Sequence, residues 1–181
     1  MFKKLNLNLS DINTTDIKGN LFEDHKTFVM FEIKNMEYLQ SILVNRIKFL
    51  IEPVKTAYVE ISNEGLFPHT DGYVGCSLNC ILEDIESYTI FWNLKRETAK
   101  VSSTKKLPDG SSVATETTGY VYSGLEYQCS FKSTTGDSIL LDVREIHSVE
   151  KHNCTSKRKL LSFRWDPKYS LDEIYNSIQI I

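Results

Sequence analysis

His69 and Asp71 stand two residues apart in Phe67-Pro68-His69-Thr70-Asp71-Gly72, and His147 closes the distant run Asp142-Val143-Arg144-Glu145-Ile146-His147. In a strand, residues i and i+2 project to the same side. One imidazole and one carboxylate at that spacing can therefore reach a common metal without distorting the backbone. A histidine from a second strand completes a 2-His-1-carboxylate set, which occupies one face of an octahedral Fe(II) and leaves the other face open. An isolated His-x-Asp triplet is common by chance and is more often a hydrogen-bonded loop pair. Its meaning depends on its surroundings.

Eleven residues beyond His147 comes Arg158, opening the run Arg158-Lys159-Leu160-Leu161-Ser162-Phe163-Arg164-Trp165. An arginine on a strand beside the distal histidine strand can fork-bond the remote carboxylate of a dicarboxylic cosubstrate. In its order and spacing this pattern resembles the Fe(II)/2-oxoglutarate-dependent dioxygenases, which carry His-x-Asp, a distal His and then a basic residue on the following strand. The resemblance covers about residues 57–165. It implies a mainly β fold with flanking helices, a double-stranded β-helix of the jelly-roll, cupin-like kind. It also implies Fe(II) held by His69, Asp71 and His147, 2-oxoglutarate bound by Arg158, Arg164 or both, and O2 as cosubstrate. In that family the strands after His-x-Asp line the cosubstrate pocket, which makes Asn79, or Ser77 beside it, a candidate contact.

The two arginines alternate onto one face of their strand, so both can point inward. If the chain turns near His152 and Asn153, position 158 falls opposite His147, close to the metal. A longer connection would put Arg164 there instead. The reading favours Arg158. Of the other histidines, His25 precedes the core and has no carboxylate partner in the family's register, and His152 belongs to a turn. Both read as surface residues.

The elements that must position these groups follow from the chain in order. Thr27 to Ile33 reads as a strand, and Asn35 caps a helix expected to run to about Ile51, with Met36, Leu39, Ile42, Leu43, Ile47 and Leu50 at helical spacing. Thr56–Ile61, Val74–Leu82 and Tyr88–Trp92 are strand-like. An insert at about 93–124 is rich in Ser and Thr and carries a turn signal at Leu107-Pro108-Asp109-Gly110. Within it Val113–Thr118 and Tyr120–Tyr122 suit hairpin strands. Lys95, Arg96, Lys100, Lys105 and Lys106 form a basic run there, read as a solvated face or an anionic-partner site. Alternation over Leu125–Lys132 points Leu125, Tyr127, Cys129 and Phe131 inward. Ile139–Asp142 and Lys157–Trp165 complete the core strands. Ser170-Leu171-Asp172-Glu173 is a capping box opening a C-terminal helix at about 170–180.

At 181 residues the chain fits one domain, 1–181. A net charge of −3 argues against a general electrostatic grip on nucleic acid or anionic membrane. No apolar run reaches membrane-span length, and the amino terminus lacks a signal-peptide core, so the expectation is a cytoplasmic protein. Cys76, Cys80, Cys129 and Cys154 are too scattered for a disulfide scaffold. Cys76 and Cys80 share a strand face and read as small core residues rather than zinc ligands.

The activity implied by the resemblance is oxidative decarboxylation of 2-oxoglutarate coupled to hydroxylation of a C–H bond, with demethylation when that carbon sits on a heteroatom. A small metabolite, amino acid or peptide side chain is the favoured substrate. The Arg158-to-Arg164 interval also resembles the Arg-x5-Arg run of nucleic-acid alkyl demethylases, so a nucleobase is the alternative. A β-helix binding protein without turnover is the alternative of a different class. No motif specifies an oligomeric state.

Overall fold

The computed structural model describes residues 1–25, 27–84, 86–96, 100–106, 112–151 and 156–181, with the backbone alone described over 100–106 and 112–117. The chain opens with β1 (Phe2–Leu5) and the short helix α1 (Thr14–Ile17), then β2 (Lys18–Asp24), β3 (Phe28–Ile33), α2 (Met36–Leu43) and β4 (Ile47–Phe49). Strands β5 (Lys55–Ile61), β6 (Leu66–Thr70), β7 (Cys76–Glu83) and β8 (Ser87–Leu94) lead to the hairpin of β9 (Lys100–Lys106) and β10 (Ser112–Tyr120). After a tight 3-10 turn at Tyr122–Gly124 come β11 (Leu125–Ser133), β12 (Ser138–Asp142), β13 (His147–Lys151) and β14 (Arg158–Trp165). Helix α3 (Leu171–Ser177) and β15 (Ile178–Ile180) end the chain.

Two antiparallel sheets carry the architecture. One runs in the order β1-β12-β7-β14-β5-β3-β2 and the other in the order β11-β8-β13-β6-β10-β9. Strands β5 to β8 step alternately between the two sheets, and β11 to β14 do the same. Two four-stranded sets wound around one another in this way make a double-stranded β-helix, the cupin-like jelly roll. Strands β1, β2 and β3 widen the first sheet, and the insert widens the second. Among the described residues no helix is long and apolar enough to cross a membrane.

Burial explains where the helices go. Leu39 and Leu43 of α2 join Ile17, Ile174 and the strand residues Leu78, Leu161 and Trp165 in one apolar cluster on the outer face of the first sheet. Trp165 is fully buried and donates its indole N–H to the Ile51 carbonyl at 2.8 Å, which satisfies the one polar group it brings inside. Asn35 caps α2 by accepting the Tyr38 N–H, and Ser170 with Glu173 forms a reciprocal capping box on α3.

Several expectations are corrected. The helix opened by Asn35 stops at Leu43. Ile47 instead starts β4, which pairs with β15 in the register Ile178↔Phe49 to Ile180↔Ile47. The apolar stripe continued past Leu43 because a strand packed on the same core needs apolar residues too. The same pairing ends the C-terminal helix at Ser177, short of 180. Tyr127 is 58% exposed rather than inward, because a bulge between Tyr127 and Cys129 shifts the pairing with β8 and reverses the alternation. In the insert the hairpin is β9–β10, and Tyr122 lies in the turn that follows. Cys76 and Cys80 are free and buried. The turn at Leu107–Gly110, the proposed turn at His152 and Asn153, and Cys154 lie outside the described residues.

Gly65 ties the turn between β5 and β6 to β13. Its φ is +75°, and a Cβ there would lie 2.1 Å from the Val149 carbonyl oxygen. Gly65→Ala is expected to cost at least about 1–3 kcal/mol from the left-handed backbone alone. Thermal unfolding should register this as a fall of about 2–4 °C per kcal/mol. An unchanged Tm would mean that the turn swings clear of β13.

Candidate metal centre

Strand β13 lies between β6 and β8. His147 pairs directly with His69 on one side and with Phe91 on the other, so both imidazoles project from neighbouring strands onto one face of the sheet. Asp71 follows the end of β6, held by its N–H donating to the Val143 carbonyl at 2.9 Å. The turn before His147 is pinned as well. Arg144 forks onto Asp142 at 2.8 and 2.6 Å and donates to the Pro167 carbonyl at 3.0 Å.

One ligand atom from each of His69, Asp71 and His147 falls within 4.8 Å of the other two. The two rings are 4.4 Å apart at 48°, and His69 Nε2 is 3.6 Å from Asp71 Oδ1. The tautomers follow from the backbone. His69 Nδ1 is 2.7 Å from the Phe67 carbonyl oxygen and His147 Nδ1 is 2.9 Å from that of Glu145. A carbonyl oxygen only accepts, so each Nδ1 carries a proton, and in the neutral ring each Nε2 keeps its lone pair. Two free imidazole lone pairs converging with one carboxylate oxygen is a donor set that fits a divalent iron.

The local field acts on Asp71 and His147. Burial opposes ionisation of Asp71, but the nearby Arg164 charge, and then the two histidines, hold its carboxyl below the usual carboxylate range. Burial, with His69 beside it, pushes His147 down to about 4. At neutral pH the trio therefore offers one carboxylate and a neutral His147.

A cavity of about 580 Å³ opens over the trio, within the range of about 300–1,000 Å³ common for small-molecule sites. Its walls are largely apolar, and Asn79, Ser77, Thr89, Arg158 and Arg164 supply polar groups. On the β7–β14 side, Ser77 Oγ donates to Asn79 Oδ1 at 2.9 Å and lies 2.9 Å from Ser162 Oγ, which also accepts from Arg164 Nε at 3.3 Å. Ser162, fully buried, thus backs two of the cavity's polar residues, Ser77 and Arg164. Its place between Arg158 and Arg164 on the inward face of the strand was the available signal.

The two arginines sit at opposite ends of β14, about 20 Å apart along an extended strand. Arg158 does not lie opposite His147. It pairs with Ile61, in the other sheet, while Arg164 is the arginine whose charge acts on Asp71 and His147. The reason is direction. The chain leaves the trio along β13 and returns along β14, so the end of β14 comes back to the site. Arg158 is buried at 2% exposure, with Nη1 donating to Ser87 Oγ at 3.2 Å and Thr89 Oγ1 at 3.4 Å.

His25, expected on the surface, lines this cavity instead. Its ring stacks on Phe28 at 4.4 Å and its Nε2 is 3.6 Å from Glu23. The widening of the first sheet by β2 and β3 brings it there. The insert also borders the centre, since β10 pairs with β6 in the register Thr118↔Thr70 and Gly119↔His69. Of its basic run, Lys95 pairs with Glu126 at 3.4 Å and Arg96 is exposed; the side chains of Lys100, Lys105 and Lys106 lie outside the described residues.

No family model matches the sequence. No curated protein matches it either. Among solved structures the chain is similar to the vicilin of Capsicum annuum, at 12% identity over 83% of this chain and 31% of that one, with a TM-score of 0.44. The vicilin of Corylus avellana (hazelnut) matches at 10% identity over 90% of this chain and 32% of that one, with a TM-score of 0.43. HygX of Streptomyces hygroscopicus, solved with nickel and 2-oxoglutarate bound, matches at 9% identity over 93% of this chain and 83% of that one, with a TM-score of 0.44. The chain spans about a third of the length of the vicilins.

If the trio is a metal centre, Fe(II), or Ni(II) in its place, should raise the Tm of the wild-type protein by binding the native state. His69→Ala, Asp71→Ala and His147→Ala should each abolish that rise while leaving far-ultraviolet circular dichroism unchanged. An equal rise in all three variants would remove the assignment.

Proposed function

We propose that this chain is an Fe(II)- and 2-oxoglutarate-dependent dioxygenase that hydroxylates a small metabolite, an amino acid or a peptide side chain. The observation that carries this reading is the convergence of two free Nε2 lone pairs and one carboxylate in the wall of a cavity that also holds a buried guanidinium. His69, Asp71 and His147 would hold the iron, and their single negative charge leaves the bound cation electrophilic. Bound together, Fe(II), 2-oxoglutarate and O2 supply the oxidation: the 2-oxo acid is decarboxylated to succinate and a substrate C–H bond becomes C–OH.

The chain's own residues supply position and environment. Arg158 would take the carboxylate of 2-oxoglutarate remote from the metal, since its guanidinium lines the cavity and, among the described residues, meets two hydroxyls at hydrogen-bond distance. Thr89 Oγ1 stands beside it as a second donor. Arg164, at the metal end of β14, keeps Asp71 ionised and is placed to meet the cosubstrate's nearer end. Asn79 and Ser77 offer lateral hydrogen bonds between the two. Leu141, Val143 and Val149 line the cavity with apolar surface, which limits water near the reacting centre and strengthens the charge interactions there. The cavity volume suits a small substrate or a single inserted side chain.

Aerobic incubation with Fe(II), 2-oxoglutarate and a panel of metabolites and peptides should release succinate in an oxygen-dependent manner. Metal binding without any succinate would favour a binding protein. Titrating 2-oxoglutarate into nickel-loaded protein should show a loss of about 1.5–3 kcal/mol for Arg158→Ala, the range for a charged hydrogen-bond partner, with nickel affinity nearly unchanged. A larger loss for Arg164→Ala would move the remote carboxylate to the other end of β14.

A further inference from the structure

Behind Arg158 lies a carboxylate that the proposed chemistry does not use. Asp84, just past the end of β7, has a side chain with no exposure, and the side chain of Arg158 has 2%. The two face each other with Arg158 Nε 3.6 Å from Asp84 Oδ2, too far for a hydrogen bond. Among the described residues both Arg158 Nε and Asp84 Oδ1 lack any hydrogen-bond partner. Asp84 Oδ2 instead accepts a close contact from Ser87 Oγ and a long one from Ser133 Oγ at 3.5 Å. Ser87 Oγ in turn accepts from Arg158 Nη1 at 3.2 Å. Opposite charges are thus enclosed together, with a hydroxyl between them and hydrogen-bonding capacity unspent on both.

Such a pair is unusual on physical grounds. A guanidinium enclosed without a counterion loses several kcal/mol of hydration, which accounts for the presence of a carboxylate. A counterion meant only to neutralise it would close to a forked pair at about 2.7–2.9 Å. The gap leaves the fork of Arg158 available on the cavity side, and the carboxylate behind it still offsets the charge when no anion is bound.

Building on the dioxygenase reading, we propose that Asp84 is a positioning residue: it serves as the resting counterion of Arg158 and competes with the remote carboxylate of 2-oxoglutarate for that guanidinium, so setting cosubstrate affinity. Removing the Asp84 charge leaves Arg158 dependent on the incoming carboxylate, and binding tightens. Lengthening the Asp84 side chain closes the gap, satisfies Arg158 internally, and weakens binding. A purely structural role for Asp84 gives loss of binding in both cases.

The test uses nickel-loaded wild type, Asp84→Asn and Asp84→Glu, titrated calorimetrically with 2-oxoglutarate and with 2-oxobutyrate, which lacks the remote carboxylate. Asp84→Asn should bind 2-oxoglutarate about tenfold tighter, a change of about 1.4 kcal/mol, with a lower Tm in its absence. Asp84→Glu should bind it about tenfold more weakly, and 2-oxobutyrate affinity should be the same in all three proteins. Weaker or unchanged 2-oxoglutarate binding in Asp84→Asn overturns the inference while leaving the dioxygenase reading intact. If Asp84→Asn does not fold, Asp84→Glu decides through the comparison of the two acids: weaker 2-oxoglutarate binding with unchanged 2-oxobutyrate binding supports the inference, while wild-type or tighter 2-oxoglutarate affinity, or an equal loss for both acids, overturns it. Wild-type protein that binds nickel but not 2-oxoglutarate overturns the cosubstrate reading and this inference with it.

Discussion

The pairing of β13 with β6 is the constraint on which the site depends. It sets His147 opposite His69, and a slip of one residue would turn His147 to the far side of the sheet. Both strands are interior to their sheet, since β13 is also bonded to β8 and β6 to β10. Neither ligand-bearing strand is an edge, so neither has a free side along which to slide. The Asp142–Arg144 fork and the Asp71 N–H bond to Val143 secure the chain on either side of this pairing.

The first sheet supplies what the pairing cannot. Its inward face brings β7 and β14 across from the trio, and with them Ser77, Asn79, Ser162 and the two arginines. Charge is distributed along β14 with one cation at each end, each close to a carboxylate: Asp71 for Arg164 and Asp84 for Arg158. The Arg164 charge helps to hold Asp71 ionised, because Coulomb interactions are screened less in an apolar enclosure than in water. The cavity thus sets polar groups along β14 opposite those of the trio, between largely apolar walls.

Much of this was legible from the residues because it depends on local periodicity. The two-residue spacing of His69 and Asp71 needs only a strand, and the alternation from Arg158 to Arg164 identifies the inward positions whichever way the strand runs. What periodicity does not carry is direction. Which arginine returns to the trio depends on the path between β13 and β14, and the expectation for Arg158 opposite His147 failed on that point. Tyr127 lies outward against its alternation because a bulge has no signature in alternating residues. Ile47 reads as helix in the sequence because a strand against the same core is as apolar as a helix. His25 and Asp84 were missed because nothing local marks a residue that becomes part of a site through distant strands.

The ligand set also has a consequence for the order of folding. His69 and Asp71 are near neighbours, while His147 joins them only after the intervening strands have been placed and β13 has zipped onto β6. Closing so long a loop is entropically costly and comes late. A divalent cation present during refolding would meet an incomplete chelate of two ligands and gain little until that step is over. Its hold on the finished protein would then resist the separation of β13 from β6. Metal held at the proposed site would thus slow unfolding far more than it speeds refolding, lending the fold kinetic persistence.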